Sequence, residues 1–233
     1  MTPEGNRTFI IVGAGLAGAK AAETLRAQGF DGRLLLFGEE PVRPYERPPM
    51  SKTYLRGESS FDEAAVHGTD FYKAYEIELH TSTVVASVDP AESRVQLAAG
   101  ARLAYDRLLL ATGAAPRRPN VPGVELEGFH LLRTVADSDA IRAAATAGSP
   151  IVVIGAGWIG SEVAASAREL GADVTMLDLA SVPLERVLGP EVGAVYRDLH
   201  ASHGVTLRRK TTSTITPSPI ASARCTATLT GTR

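Results

Sequence analysis

Two stretches of the chain share one pattern of apolar and polar positions. Residues 9–12 and 151–154 are short apolar runs rich in β-branched side chains, which is typical of strands buried on both faces of a parallel sheet. Each run leads through a glycine-rich turn into a helix of alanines and leucines, ended by Gly29 or Gly171 where a C-cap is expected. Another apolar strand follows each helix. The repeat predicts an α/β fold built from two Rossmann-like, dinucleotide-binding units.

Both turns carry the spacing G-x-G-x-x-G, which suits the binding of a pyrophosphate group. One glycine makes the tight turn, one lets the backbone approach the phosphates, and one lets the helix pack on the strand. The N–H groups at the positive end of the helix then face the ligand. The glycines are Gly13, Gly15 and Gly18 in the first turn and Gly155, Gly157 and Gly160 in the second. Two complete fingerprints in one chain predict two bound dinucleotides.

An acidic residue follows each fingerprint at the end of the next strand. Glu39 follows RLLLFG and Asp178 follows VTML. Each acid lies about 20 residues beyond the last glycine of its fingerprint, where a carboxylate can accept hydrogen bonds from both hydroxyls of an adenosine ribose. The alternative for either acid is an ordinary charge at a strand end.

The segment 41–57, PVRPYERPPMSKTYLRG, is predicted to be an extended loop. Its four prolines exclude the interior of a sheet. After them, Ser51 is expected to cap a short helix. Arg43, Arg47 and Lys52 place three cations beside the first nucleotide site. Two interpretations remain open. The loop is solvated and basic, or Arg47 and Lys52 contact the phosphate or the ring edge of a cofactor.

The chain between the fingerprints is predicted to be a short helix and strand over 71–80, then an antiparallel meander over 82–111. The meander ends at Thr112 and Gly113, where small residues let the backbone run close to a ligand or simply form a tight turn. The remaining predicted elements are a helix that Asp137 or Ser138 caps and that ends at Gly148, a helix over 191–203 and a strand that begins near 204.

Composition narrows the class of protein. The formal net charge of −2 gives no reason to expect nucleic acid or an anionic membrane as partner. Cys225 is the one cysteine, so one chain can form neither a disulfide framework nor a cysteine-ligated metal site, and we expect no dithiol or disulfide activity. No segment approaches the length of a membrane span or a signal peptide, and the expected location is cytoplasmic.

A family resemblance rests on an ordered set of motifs: GAGLAG, RPYERPPMSK, YDRLLLATGAAPR, LLRT, VVIGAGWIGSEVA and VTMLD. From about residue 7 to about residue 210, the chain closely resembles the FAD-dependent, NADH-using ferredoxin and rubredoxin reductases. These are relatives of the pyridine nucleotide-disulfide oxidoreductases and share a glutathione-reductase-like fold. The resemblance implies a flavoprotein of an oxygenase or cytochrome P450 system, which passes electrons from NADH through FAD to a ferredoxin-like or rubredoxin-like iron–sulfur protein.

The resemblance also implies roles for individual residues. FAD contacts are expected at Gly13, Gly15, Ala17, Gly18, Glu39, Lys52, Val85 and Arg133, with Arg47, Thr112 and Gly113 as further candidates. NADH contacts are expected at Gly155, Gly157, Gly160, Glu162 and Asp178, with Arg186 as a further candidate. Lys52 is the candidate catalytic residue, because a fixed cation near the ring would stabilise the reduced, anionic flavin.

The chain departs from the family in its last part. Residues 211–233 are dense in Thr and Ser, contain no acidic residue and show no strand or helix periodicity, so we expect a disordered tail on a truncated member. The expected organisation is an FAD unit over 1–113, a crossover over 114–147, a partial NADH unit over 148–210 and the tail. The alternative to a reductase is a catalytically inert, nucleotide-binding remnant.

Overall fold

The structure, a computed structural model, describes residues 7–209 and 226–229. The helices and strands, in chain order, are β1 (Thr8–Val12), α1 (Leu16–Ala27), β2 (Arg33–Phe37), α2 (Thr53–Arg56), α3 (Phe61–Ala64), α4 (Phe71–Ala74), β3 (Ile77–His80), β4 (Val85–Asp89), β5 (Arg94–Leu97), β6 (Arg102–Ala104), β7 (Arg107–Leu110), β8 (Phe129–Leu131), α5 (Val135–Ala144), β9 (Pro150–Ile154), α6 (Trp158–Glu169), β10 (Asp173–Asp178), α7 (Glu185–Ser202), β11 (Thr206–Arg209) and β12 (Thr226–Leu229). A 3-10 turn, Pro48–Ser51, precedes α2.

The described residues fall into two compact units. The first comprises those of Met1–Glu46 and Phe61–Ala114, and the second those of Arg47–Ser60 and Ala115–Arg233. The segment Arg47–Ser60 therefore groups with the second fingerprint, whereas the division expected from the sequence places it with the first. The chain leaves the first unit after Glu46 and returns to it at Phe61.

The first unit is built on a parallel sheet of four strands in the order β3-β2-β1-β7. β1 and β2 contribute fully buried side chains on both faces, such as Ile10, Ile11 and Leu35, which confirms the prediction from their apolar runs. β4, β5 and β6 form a separate antiparallel sheet whose Val95 is completely buried.

The predicted third strand of the meander is divided in the structure. β6 stays antiparallel to β5, but β7 pairs in parallel with β1. The division occurs at Asp106, whose backbone N–H donates to the carbonyl of Thr8 at 2.8 Å. Its carboxylate accepts the Thr8 N–H at 2.7 Å. These two bonds fix the chain to the start of β1, and the prediction of one continuous strand was wrong.

The second unit is built on a parallel sheet in the order β11-β10-β9-β12-β8. β9 and β10 carry the second fingerprint and its acid, as predicted. β12 lies between β9 and β8, so the prediction of a disordered tail is wrong at Thr226–Leu229, which form a strand. The rest of the expected tail, at 211–225 and 230–233, lies outside the described residues.

Three helix boundaries differ from the prediction. Ser51 does not cap α2, because the N-cap residue is Lys52 and no side chain caps this helix. The Ser51 hydroxyl donates instead to the Glu162 carboxylate at 2.6 Å. α5 begins earlier than expected: Thr134 is its N-cap, with Asp137 as the reciprocal partner in a capping box. α7 begins at Glu185 and contains a kink at Gly189, where φ is 79°. No helix in the described part of the chain is long and apolar enough to cross a bilayer.

Candidate dinucleotide sites

The first fingerprint turn requires glycine at two positions for packing. Gly13 has a φ of +115°, and a Cβ there would collide with the carbonyl oxygen of Ala111 on the neighbouring chain segment. A Cβ at Gly18 would collide with the carbonyl of Gly13. The Gly13 N–H donates to the Phe37 carbonyl at 2.8 Å, which joins the turn to the end of β2. These contacts bring α1 close to the sheet, as the fingerprint predicts.

Gly15 is different because it faces open space. A Cβ built at Gly15 meets no atom within 4 Å. It is the residue before α1, and the next two residues, Leu16 and Ala17, are exposed. The first N–H groups of a helix have no partner inside the helix, so this open turn offers donors to an anion. The residues present therefore fit a pyrophosphate.

The acid of the first fingerprint is exposed. Glu39 lies two residues beyond β2 and directly after Gly38. A Cβ built at Gly38 would lie 2.6 Å from the Cβ of Ala14. The neighbouring Glu40 has a partner, since its carboxylate accepts the Tyr45 hydroxyl at 2.6 Å. Glu39 is therefore the acid that the structure presents to solvent at this end of the sheet.

The other candidates of the first unit lie at two places. Thr112 and Gly113 directly follow Ala111, whose carbonyl limits the space at Gly13, so they adjoin the fingerprint turn. Val85, in β4, is half-buried and packs against the apolar cluster that includes Ile10. Their contacts with FAD stay predictions.

The second fingerprint turn repeats the backbone of the first. Gly155 has a φ of +102°, and its N–H donates to the Leu177 carbonyl at 2.7 Å. Gly157 precedes α6 with φ −78° and ψ −171°, close to the −89° and −170° of Gly15 before α1. Gly160 is buried where α6 packs on the sheet. This turn therefore offers the same kind of anion site.

Asp178 is held in place by the backbone around it. One carboxylate oxygen accepts the Ala156 N–H at 2.5 Å, and the other accepts the Ala180 N–H at 2.8 Å. Each oxygen retains a lone pair for a further donor, as two ribose hydroxyls would require. The Glu185 carboxylate accepts the N–H of Ser181 at 2.5 Å and fixes the next loop. Arg186 is exposed in the first turn of α7.

Lys52 and Glu162 form one polar cluster in the second unit. The Lys52 ammonium lies 2.7 Å from Glu162 Oε2, which also accepts the Ser51 hydroxyl. The Glu162 side chain is 29% exposed, so the pair is only partly shielded from water. Glu162 was expected to contact NADH, and the structure places it against Lys52. The second turn of α6, which carries Glu162, and the 3-10 turn therefore fix the position of this lysine together.

Arg47 and Arg133 also meet in the second unit. The Arg47 guanidinium donates to the Arg133 carbonyl at 2.6 Å, and the Arg133 N–H donates to Asp137 at 3.0 Å. These two arginines and Lys52 were expected to contact FAD. All three belong to the second unit, whereas the first fingerprint belongs to the first unit. Their contacts with FAD stay predictions.

Sequence reasoning missed two residues beside Asp178. A cavity of about 160 Å³ is lined by Ala156, Asp178, Ser181, Arg197 and Arg208, among others. Arg197 comes from α7 and Arg208 from β11, so both are distant from Asp178 along the chain. The available signal was GVTLRR, a predicted strand of the second nucleotide unit that ends in two basic residues.

A comparison with the sequence profiles of protein families identifies the family of this chain. The sequence profile described as "Pyridine nucleotide-disulphide oxidoreductase" matches residues 7–231. The chain belongs to this family. The family implies that the chain depends on a flavin and on NAD(H), which agrees with two fingerprint turns on two parallel sheets.

Individual relatives show which members of the family the chain resembles. The chain is 44% identical over 202 residues to the biphenyl dioxygenase system ferredoxin–NAD(+) reductase component of Paraburkholderia xenovorans (strain LB400), covering 87% of this chain and 49% of the relative. It is 42% identical over 209 residues to putidaredoxin reductase CamA of Pseudomonas putida, covering 88% and 50%. A crystal structure of the covalent putidaredoxin reductase–putidaredoxin complex superposes with a TM-score of 0.90 at 36% identity, covering 96% of this chain and 58% of that one. The chain spans about half the length of the curated relatives it matches.

Proposed function

We propose that the chain is the nucleotide-binding part of a reductase that passes electrons from NADH through FAD to a small ferredoxin-like or rubredoxin-like iron–sulfur protein. The names of the relatives support this proposal, since they are reductases of dioxygenase systems or of putidaredoxin. They favour a redox function over an inert remnant. The oxygenase or cytochrome P450 system served follows from the same names and is part of the proposal.

FAD is assigned to the first fingerprint. The open turn at Gly15 and the helix start at Ala17 would hold the pyrophosphate, and Glu39 would accept the ribose hydroxyls. Thr112 and Gly113 adjoin this turn. Arg47, Lys52, Val85 and Arg133 are retained as candidates for the flavin half of the cofactor.

NADH is assigned to the second fingerprint, and this assignment rests most strongly on Asp178. Its carboxylate is oriented by the N–H of Ala156, which belongs to the fingerprint turn itself. A ribose bound at that carboxylate would therefore place its phosphates over the same turn. An ionised carboxylate accepts hydroxyls but repels a phosphate, so NADH is expected to bind more tightly than NADPH by about tenfold.

Lys52 is assigned to the reacting end of the flavin. FAD, when bound, would supply the capacity to take a hydride from NADH and to pass on single electrons. The chain itself supplies orientation and charge: the Glu162 carboxylate and the Pro48 carbonyl, at 2.7 and 3.3 Å, fix the Lys52 ammonium. A cation fixed in that way favours the anionic, reduced ring. We therefore assign Glu162 the role of a positioning residue, which holds the Lys52 ammonium in place.

Three measurements on the purified chain test this function. The ratio of flavin to protein absorbance reports FAD, anaerobic bleaching by NADH reports hydride transfer, and reduction of a ferredoxin reports electron delivery. Asp178→Asn should raise the NADH concentration needed for half-bleaching about tenfold while the flavin content stays the same. Lys52→Gln should keep NADH affinity and lower the flavin reduction potential.

Two results would contradict the proposal. Flavin that NADH does not bleach at any concentration would remove the NADH assignment. An Asp178→Asn variant with unchanged half-bleaching would show that the second fingerprint does not hold the nicotinamide dinucleotide. Arg117→Gln, an exposed change in the same unit and outside both sites, is the matched control for Lys52→Gln, since both remove one positive charge.

A further inference from the structure

A cavity in the first unit lies apart from both candidate dinucleotide sites. Its volume is about 580 Å³, within the roughly 300–1,000 Å³ of pockets that hold a ligand. The residues that line it come from the loop after β2, from α4 and its flanks, and from β3: Arg43, Thr69, Tyr72, Lys73, Glu76, Ile77, Glu78 and Leu79. All of them belong to the first unit, and none is a candidate contact of FAD or NADH.

The cavity runs along the edge of β3 and not across one face of the sheet. Successive side chains of a strand point to opposite faces, so a cavity on one face would be lined by alternate residues. Here three consecutive residues line it, Ile77, Glu78 and Leu79. In the described part of the chain, β3 is an outer strand of its sheet and pairs with β2 alone. The cavity therefore gives access to the backbone of an edge strand.

The backbone hydrogen bonds show which residues of β3 face this edge. His80 directs its carbonyl toward β2, because that carbonyl accepts the Gly38 N–H at 2.9 Å. Backbone groups point alternately to the two sides of a strand, so Glu78 also faces β2. Ile77 and Leu79 therefore direct their N–H and carbonyl groups away from β2. No strand among the described residues pairs with them there, and four backbone groups remain for a ligand.

The rest of the lining combines apolar surface with one charge of each sign. Tyr72 and Ile77 are only 5% and 4% exposed, and Leu79 packs against the same apolar cluster. Lys73 and Glu76 are exposed, and neither side chain forms an ion pair with a described residue. A ligand in the cavity would therefore meet an apolar surface, a cation and an anion.

The two other charged residues of the lining already have partners. The Arg43 guanidinium donates from Nε to the His67 carbonyl at 3.1 Å and from Nη2 to the Asp62 carboxylate. The Glu78 carboxylate accepts two hydrogen bonds from Arg33, at 2.7 and 2.8 Å. Both charges are thus largely balanced within the unit. Lys73 and Glu76 determine which charges a ligand must carry.

We propose that this cavity binds an extended segment of a partner protein, which adds a strand beside β3 and carries one acidic and one basic side chain. Its backbone pairs with Ile77 and Leu79, as peptides do when they extend the edge of a sheet. Its acidic side chain lies at Lys73 and its basic side chain at Glu76. A second copy of this chain suits the edge less well. Antiparallel pairing of two β3 strands centred on Glu78 would place two like charges opposite each other, which is destabilising.

Hydrogen exchange measured by NMR tests the strand addition residue by residue in the unmodified chain. The probe is the blocked peptide acetyl-Val-Asp-Val-Lys-Val-amide. Without it, the amides of Ile77 and Leu79 should exchange faster than those of Glu78 and His80, which bond to β2. At saturation the peptide should slow exchange at Ile77 and Leu79 by at least about fivefold and leave Glu78 and His80 within about twofold.

Two N-methylated forms of the peptide test the backbone bonds independently of any change in the protein. One form is methylated at the three valines and the other at the two charged residues. Alternate residues of an extended peptide direct their N–H groups to the same side, so only one of the two sets faces β3. Calorimetric titration should show that one form loses binding and that the other keeps it.

Exposed charge variants test the two side-chain contacts. Lys73→Gln should weaken peptide binding about threefold, and replacing the aspartate of the peptide by asparagine should then have no further effect. Glu76→Gln should do the same for the lysine of the peptide. Arg94→Gln, which removes an exposed positive charge from β5 of the same unit, is the matched control for Lys73→Gln and should bind the peptide within about twofold.

Three results would overturn the proposal. They are the absence of saturable peptide binding, unchanged exchange at Ile77 and Leu79 when the peptide is bound, and equal binding of the peptide and both N-methylated forms. Protection of the same two amides that rises with protein concentration, without peptide, would assign the edge to a second copy of the chain instead. None of these results affects the dinucleotide sites, because no residue is shared.

Discussion

The two fingerprint turns have nearly the same backbone, but their acids occupy different positions. In each unit the first glycine donates its N–H to the carbonyl of one residue in the next strand: Gly13 to Phe37 and Gly155 to Leu177. Phe37 and Leu177 are therefore equivalent positions. Asp178 follows Leu177 directly, whereas Glu39 follows Phe37 by two residues, with Gly38 between them.

This one-residue difference changes what each acid contacts. Asp178 lies beside the turn and accepts the N–H of Ala156. The equivalent position in the first unit is Gly38, where a Cβ would lie 2.6 Å from Ala14, so a side chain has no room there. Glu39 is exposed beyond it. The fingerprint fixes the turn, and the residues after the second strand decide how firmly the ribose acid is held.

The largest expected effect separates two glycines of the same turn. Gly13→Ala should destabilise the first unit by about 3 kcal/mol, because it combines a positive φ with a collision against the Ala111 carbonyl. Gly15→Ala, which meets no atom within 4 Å, should cost less than about 1 kcal/mol. Urea unfolding of both variants measures the difference. Similar losses in both would show that Gly13 is not required by packing.

The next effect distinguishes the two acids without any ligand. Asp178→Ala removes the acceptor of two backbone N–H groups and should lower the free energy of unfolding of the second unit by about 1–2 kcal/mol. Asp178→Asn should recover part of the loss, since the amide oxygen still accepts one of them. An Asp178→Ala variant as stable as the unmodified chain would mean that these backbone bonds do not hold the loop.

The two units should also respond differently to acid. In the second unit, burial lowers the pKa of His200, and the neighbouring His203 lowers it further. In the first unit, burial lowers the pKa of His67, but the Glu23 carboxylate 3.3 Å away opposes the shift. A histidine with a lowered pKa binds more protons when unfolded, so its stabilisation is complete above the unfolded pKa of about 6.5 and is lost as pH falls.

We therefore expect the unfolding midpoint of the second unit to fall more steeply than that of the first between pH 7.5 and 5.5. His200→Gln should reduce this slope, and His203→Gln should reduce it less, since burial is the main cause of the shift. Hydrogen exchange followed by mass spectrometry resolves the two units. Equal slopes for both units, unchanged in His200→Gln, would refute the difference.

The smallest effect concerns the exposed acid. Glu39→Ala should change the free energy of unfolding by less than about 0.5 kcal/mol, because Glu39 is exposed at the end of its strand. Comparing this change in the free energy of unfolding with that of Asp178→Ala shows how differently the two acids are held. A loss above 1 kcal/mol in Glu39→Ala would show that this carboxylate also stabilises its loop.

The local sequence was sufficient for the turns, the helices that follow them and the strands on either side. A glycine with positive φ, such as Gly13 or Gly155, is required by the turn itself, so its spacing predicts the backbone before any tertiary contact is known. The same applies to the buried strands, whose apolar runs need cover on both faces. The family resemblance rested on these local motifs, and the family match confirms it.

Contacts between distant residues were decided only by the tertiary structure. The departure of β7 from the meander depends on Asp106 and Thr8, and the place of Ser51 depends on Glu162. The two arginines that line the cavity beside Asp178 come from α7 and β11, and only the tertiary structure brings these elements to the end of β10. Spacing along the chain determines a turn because its atoms are joined by a few bonds. It does not determine which side chain meets an acid from another strand, because that depends on how the strands pair.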